Sequence, residues 1–308
     1  MEKNPIPLIL DTDPGVDDFF CLAVVCAHPD VFSLRAVTSV GGNNSTDVTT
    51  KNAMDILALF HHDAPVFRGS DRYLTEEFGE PVVTAHGTNG LAGQILPDSK
   101  RVPGKEKAWD AIYRIALEEQ GSLELLTVGP LTNIAIAFLK YPSLSKMIRR
   151  ITMMGGTNFI GNIGPYAEAN IGHDAMAARI VFESEVPVHM VGLDSTIQCP
   201  VPLEEFEKMS VHTDPFIRKT MRELIRFRKG EAMHDAVAAA CMIDPDIVSW
   251  KTADVTVEVN EGLTKGMTVI FPDENGNDRV AHNPVRERYL AVFEKTVQYY
   301  REGFYESK

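Results

Sequence analysis

The chain has 308 residues, 44% of them hydrophobic, with 43 acidic against 30 basic side chains and a formal net charge of -13. This length and apolar content exclude a disordered chain and suffice for a large α/β core. The acidic balance argues against nucleic acid as a partner, because phosphate binding needs clustered Lys and Arg; it also leaves carboxylates available for a hard cation.

Taken in chain order, short apolar runs alternate with helical patterns. Strands are expected at 6–10, 34–40, 123–128, 151–154 and 188–191. Helices are expected at 17–27, 47–60, 107–119, 131–139 and 175–183. The strand runs are apolar throughout rather than alternating, which suits strands covered on both faces. Strand, helix, strand in repetition predicts a mostly parallel, doubly wound sheet with flanking helices. The last third differs. A polar helical region spans 203–229, and a further helix starts near His234. Short strands are expected at 255–259, 268–271 and 279–282, and a closing helix at 286–301. Glu261-Gly262 and Glu274-Asn275-Gly276-Asn277 are turn signals between them. No long linker or repeat divides the chain, so a single domain over 1–308 is expected.

The apolar run at 6–10 is too short for the core of a signal peptide and ends at Asp11. No run approaches the ~20 residues that cross a bilayer, so no membrane partner is expected. Cys21, Cys26, Cys199 and Cys241 form no C-x-x-C pair and sit in apolar stretches. They read as buried, reduced thiols, and a cytoplasmic location follows as an expectation.

Polar, glycine-rich segments fall just after the predicted strands, at 11–18, 41–44, 129–133, 155–170 and 194–195. In open α/β sheets the ligand crevice lies outside the carboxyl ends of the strands, so these five segments should converge on one edge. The first reads Asp11-Thr12-Asp13-Pro14-Gly15-Val16-Asp17-Asp18, four carboxylates in eight residues. Like charges crowd unfavourably unless something positive sits among them. A helix N-terminus carries roughly half a positive charge, enough for one carboxylate. A divalent cation is the simpler answer, and an all-oxygen set suits Ca²⁺ or Mg²⁺ rather than Zn²⁺. In the competing reading Asp17 and Asp18 cap the helix and Asp13 braces a turn.

D-x-D-P-G-x-D-D after an N-terminal strand resembles the signature of the inosine-uridine-preferring nucleoside hydrolases. Further matches follow in order along nearly the whole chain: Val40-Gly41-Gly42-Asn43, Val128-Gly129-Pro130-Leu131-Thr132-Asn133, Met153-Met154-Gly155-Gly156, Ala167-Glu168-Ala169-Asn170 and His234-Asp235. The resemblance implies hydrolysis of the N-glycosidic bond of ribonucleosides to free base and ribose, as in nucleoside catabolism and salvage. It implies Ca²⁺ as cofactor, held by Asp13, Asp18, Asp235 and the Val128 carbonyl. A calcium-held water would attack the sugar, with Asp13 as general base and His234 as the acid for the departing base. Asp17, Asn43 and Asn170 would bind the ribose hydroxyls, and Asn162 and Glu168 the 5′ end. Met154 would pack near the sugar, and His86 would lie near the base. Relatives often self-associate, so a homo-oligomer, dimer or tetramer, is implied as well.

Two departures bear on the base side. Some relatives carry tyrosines shortly before the His-Asp pair; 222–233 has none, and Arg226, Phe227 and Arg228 are the nearest substitutes. Ala169 stands where many relatives have phenylalanine. Elsewhere the readings are plainer. His86 lies in the long polar stretch 69–105, either a lid or a surface loop. His234 and Asp235 could cap a helix, and Glu168 and Asn170 could brace a turn. Arg218, Arg222, Arg226 and Arg228 recur at helical spacing, as on a solvated face. The pair His61-His62 is read as exposed. Two other enzyme classes compete. In a haloacid-dehalogenase-type phosphatase the residue two after the second aspartate is threonine or valine, but here it is Gly15. A dinucleotide-binding oxidoreductase needs G-x-G-x-x-G after the first strand, and none follows. A calcium-dependent nucleoside or ribose binder without catalysis is the non-enzymatic alternative.

Overall fold

The computed structural model describes residues 4–306. Its frame is one nine-stranded sheet built from β1 (Ile6–Thr12), β2 (Phe32–Ser39), β3 (Val66–Arg68), β4 (Leu123–Thr127), β5 (Ile148–Met154), β6 (Val188–Val191), β7 (Ser249–Val257), β8 (Thr268–Pro272) and β9 (Asp278–His282). Across the sheet the order is β3-β2-β1-β4-β5-β6-β9-β7-β8. The first six strands pair in parallel, and β9 adds in parallel to β6. β7 runs antiparallel to both β9 and β8. The expected mostly parallel α/β fold is therefore present, and the C-terminal strands extend the same sheet.

The apolar strands are explained by two cores. Along β1, Leu8 and Leu10 join one hydrophobic cluster and Ile9 the other, because successive side chains leave a strand on opposite faces. The first cluster is closed by helices Val16–Ala27, Thr46–Leu59, His234–Ile243 and Arg286–Tyr299; the second by Ala108–Glu119, Thr132–Lys140 and Ala175–Phe182. The His234–Ile243 helix packs on Val16–Ala27, and its Ala236, Ala238, Ala239 and Ala240 are fully buried. Small side chains there let the two helices approach closely, which brings their N-termini together.

The order β3-β2-β1-β4-β5-β6 places β1 beside both β2 and β4. Winding reverses between β1 and β4, and that switch point opens a crevice beyond their carboxyl ends.

Several boundaries differ from expectation for local reasons. β7 starts at Ser249 rather than 255: Ser249, Trp250 and Lys251 pair with His282, Ala281 and Val280 through backbone ladders that leave no apolar pattern. β3 has three residues, too few to show a period. The region 203–229 is two helices, Leu203–Met209 and Pro215–Phe227. The second begins where Asp214 accepts hydrogen bonds from the Phe216 and Ile217 amides, with Pro215 in the first turn. His61 and His62 lie beyond the Thr46–Leu59 helix and are half-buried, with His61 stacked on Phe304. The four cysteines are buried and unbridged. No helix of the described residues is long and apolar enough to cross a membrane.

Candidate active site

A cavity of about 920 Å³ opens at the switch point. Asp17, Asn43, His86, Val128, Met154, Asn162, Glu168, Asn170, His234 and Asp235 all line it. Asp13 and Asp18 lie just behind its wall, 1% and 0% exposed. Four of the five post-strand segments thus meet at the cavity, with Asp194 alone of 194–195 reaching it; of the fifth, 129–133, no residue lines it, and Val128 just before that segment does instead.

The acidic centre forms where the Val16–Ala27 helix starts. Asp18, in its first turn, accepts hydrogen bonds from the Gly15 amide at 2.9 Å, the Asp13 amide at 3.2 Å, the Asn43 Nδ2 at 3.1 Å and the Thr12 hydroxyl. It therefore does brace the helix N-terminus. The bracing does not account for its neighbours. Asp13 Oδ2 accepts from the Asn43 amide at 2.7 Å, but Asp13 Oδ1 and Asp17 Oδ1 are buried with no hydrogen-bond partner. Such groups cost free energy until something positive meets them. Asp235, from the start of the His234–Ile243 helix, lies close to Asp18 in the cluster. Asp17, Asp18 and Asp235 offer oxygens within 4.8 Å of one another and are all buried, so they can hold a hard cation. This triple contains Asp17; Asp13 stands beside it. A Cβ on Gly42 would come within 2.2 Å of Asp13 Oδ2, and one on Gly129 within 2.7 Å of Asp13 Oδ1. Both glycines are required because backbone passes directly over the carboxylate.

Burial, then the charge of Asp18, pushes the Asp13 carboxyl well above its usual range. Burial and the surrounding aspartates do the same to Asp235. Asp18 rises to about 6, through burial and then Asp17. Burial acts on Asp17 in the same direction, but His86, Arg228 and His234 outweigh it and hold the group low. Burial also lowers both imidazoles, so among these three Arg228 is the permanent cation.

On the loop after β5, Glu168 accepts from the backbone amides of Gly156, Asn170 and Ile171 at 2.9, 3.0 and 3.2 Å. It caps a short helix, and burial raises it to about 7. Asn170 donates through Nδ2 to the Val128 and Met154 carbonyls, both at 3.0 Å, joining the ends of β4 and β5. Asn162 is exposed at the cavity rim. His86 ends the Val83–His86 turn, is buried, and accepts at Nδ1 from the Val16 amide at 3.1 Å. Asp17 lies 3.7 Å away. His86 is therefore a wall of the cavity rather than a surface loop residue. His234 is held at Nδ1 by the Thr196 hydroxyl, 2.7 Å distant.

The family model described as inosine-uridine preferring nucleoside hydrolase matches residues 8–292. The chain is a member of that family. It resembles a pyrimidine-specific ribonucleoside hydrolase, RihA, of Shewanella oneidensis, with 35% identity over 86% of each chain. It also resembles a non-specific ribonucleoside hydrolase, RihC, of Salmonella newport, with 33% identity over 85% of this chain and 87% of that one. Among solved structures, a purine-preferring ribonucleoside hydrolase from Gardnerella vaginalis superposes with a TM-score of 0.87 and 30% identity, covering 94% of this chain and 98% of that one. The enzyme is thus an N-glycosyl hydrolase of nucleosides.

Three features of the hydrolase were not read from its sequence. Asp11, counted with the acidic loop, is instead bonded by the Thr38 hydroxyl and by Asn133 Nδ2 at 2.8 Å, and burial raises it to about 7. Asn133 also accepts from the Ser70 amide and donates to the Ser39 carbonyl, so this asparagine ties β1 and β2 to the chain beyond β3. The arginine stripe is not uniform. Arg218 and Arg222 pair with Glu207 and Arg226 with Glu223, but Arg228 turns into the cavity wall. Helical spacing groups the four; only the helix end, after Phe227, separates the last.

Proposed function

We propose that this hydrolase splits ribonucleosides into free base and ribose with Asp13 as general base. Calcium is the proposed cofactor, with Asp13, Asp18, Asp235 and the Val128 carbonyl as its ligands and Asp17 near enough to share in the site. The observation carrying this reading is the pair of buried, unpartnered oxygens, Asp13 Oδ1 and Asp17 Oδ1, beside a cavity of nucleoside size. When bound, a hard cation supplies positive charge that acidifies a coordinated water.

The residues divide the remaining work. Asp17, Asn43 and Asn170 orient the ribose hydroxyls, Asn162 and Glu168 hold the 5′ end, and Met154 packs against the sugar; fixing these contacts in advance lowers the entropic part of the barrier. Asp13 takes the water proton as the oxygen bonds C1′. The crowded carboxylates favour the positive sugar that develops as the C1′–N bond breaks. His86 and His234 face the base, and His234 returns a proton to it.

The test is ribose release, measured as reducing sugar, from inosine, uridine, cytidine, adenosine and their 2′-deoxy forms. The expected result is release from one or more ribonucleosides in the presence of calcium. Tight nucleoside binding with no release would support a binder instead, and phosphate release from phosphomonoesters alone would support a phosphatase.

A further inference from the structure

We propose that Arg228 stabilises the departing base and selects oxo bases, as in inosine and uridine, over adenine; this deepens the hydrolase reading and rests on it. The backbone explains how an arginine reaches the cavity. The Pro215–Phe227 helix ends at Arg228, whose amide still donates to the Leu224 carbonyl at 3.1 Å. Lys229 and Gly230 follow at φ 54° and 74°, in the left-handed region, and turn the chain back toward Asp235. Arg228 leaves the solvated helix face at that turn.

Its surroundings do not satisfy it. The side chain is 12% exposed, and its nearest carboxylate is Glu231, 3.7 Å away and 64% exposed. Nε is buried with no hydrogen-bond partner. A guanidinium withdrawn from water costs free energy unless its N–H groups are met. The groups within reach of its charge are Asp17, His86 and His234, all on the cavity wall. A ligand seated beside these residues would lie against the guanidinium of Arg228, which lines the same wall.

The chemistry at that position follows. When the C1′–N bond breaks, its electron pair goes to the base, the water oxygen bonds C1′, and the water proton goes to Asp13. The base carries the new negative charge, spread over ring nitrogens and carbonyl oxygens, until it takes a proton that His234 relays from solvent. A permanent cation lowers the energy of that anion without transferring a proton. The planar fork of a guanidinium fits two adjacent acceptors, such as the O6 and N7 edge of hypoxanthine. Adenine offers an amino donor in place of O6 and sets N–H against N–H.

The test compares kcat/KM of the calcium-loaded wild type, Arg228→Gln, Arg228→Lys and Arg228→Ala on inosine, uridine, adenosine and p-nitrophenyl riboside. The p-nitrophenolate ion leaves without help. Wild type should prefer inosine to adenosine by on the order of ten- to a hundredfold. Arg228→Gln should lose roughly 10²- to 10³-fold on inosine and uridine, far less on p-nitrophenyl riboside, and most of its discrimination against adenosine. Arg228→Lys should keep part of the uridine rate but not the inosine preference, because the fork is gone. Added guanidinium ion should restore Arg228→Ala on inosine and leave p-nitrophenyl riboside unchanged. Equal losses on every substrate would overturn the assignment in favour of a structural role, and so would an unchanged inosine rate. Wild-type parity between inosine and adenosine would overturn the selectivity. If Arg228→Gln does not fold, judged by thermal unfolding, Arg228→Lys carries the comparison. A wild type that releases ribose from no nucleoside overturns the hydrolase reading itself; an active wild type with an indifferent Arg228→Gln overturns only the role of Arg228.

Discussion

Asp13 combines three properties rarely found in one carboxylate: it is buried, one oxygen is unpartnered, and glycine backbone covers it on two sides. Burial and the Asp18 charge raise its proton affinity, which suits a group that must accept a proton during the reaction. Asp13→Asn retains the volume beneath Gly42 and Gly129 and still accepts from the Asn43 amide. Its kcat should fall roughly 10²- to 10⁴-fold while circular dichroism and thermal unfolding remain those of a folded chain. A wild-type rate in Asp13→Asn would remove the base assignment.

Among the elements, the start of the Val16–Ala27 helix organises most of the site. Asp18 satisfies its amides, Val16 donates to His86, and Asn43 reaches over from the segment after β2. Gly15 makes that assembly possible through space rather than backbone freedom, since its φ is -108°. A Cβ there would stand 2.2 Å from His86 Nδ1 and 2.8 Å from Asn43 Nδ2. Gly15→Ala should displace both side chains, lower kcat/KM up to about 10²-fold through misplacement, and reduce stability by about 1–3 kcal/mol. Steady-state kinetics and denaturant unfolding read the two effects separately; unaltered kcat/KM would show that His86 and Asn43 need not be held there.

For the whole molecule, the metal-free site ties stability to pH. Asp18 at about 6, Glu168 at about 7, and Asp13 and Asp235, both pushed well above the usual range by burial, hold protons in the folded chain that they release near pH 4 when unfolded. The folded state thus binds more protons over that interval, and by linkage its stability is present at the acid end and falls as pH rises through 6 and 7. A cation favours the ionised carboxylates and should reverse the trend. In strong chelator the unfolding temperature should be higher at about pH 5.5 than at about pH 7.5, and calcium should raise it most at the higher pH, with protons released on binding. Activity should vanish on chelation and return with calcium. Chelated protein with the same unfolding temperature at both pH values would contradict the proton-loaded cluster.

The sequence by itself determined the class of fold, the acidic loop and the edge of the sheet at which the cavity opens. Continuous apolar runs such as Leu8-Ile9-Leu10 report a strand buried on both faces, and polar segments after strands report a crevice at their carboxyl ends. Both signals are local and survive without knowledge of contacts. Tertiary structure alone decided which carboxylates meet. Asp11 and Asp13 are two residues apart, yet Asp11 bonds to Thr38 and Asn133, whereas Asp13 joins a cluster with Asp235 from the far end of the chain. It also decided that Arg228 leaves the face shared by Arg218, Arg222 and Arg226, since a helix end and two left-handed residues redirect it. Spacing along a chain encodes neighbours one turn or one strand away; pairings across a hundred residues depend on strand order and helix packing, which no short period records.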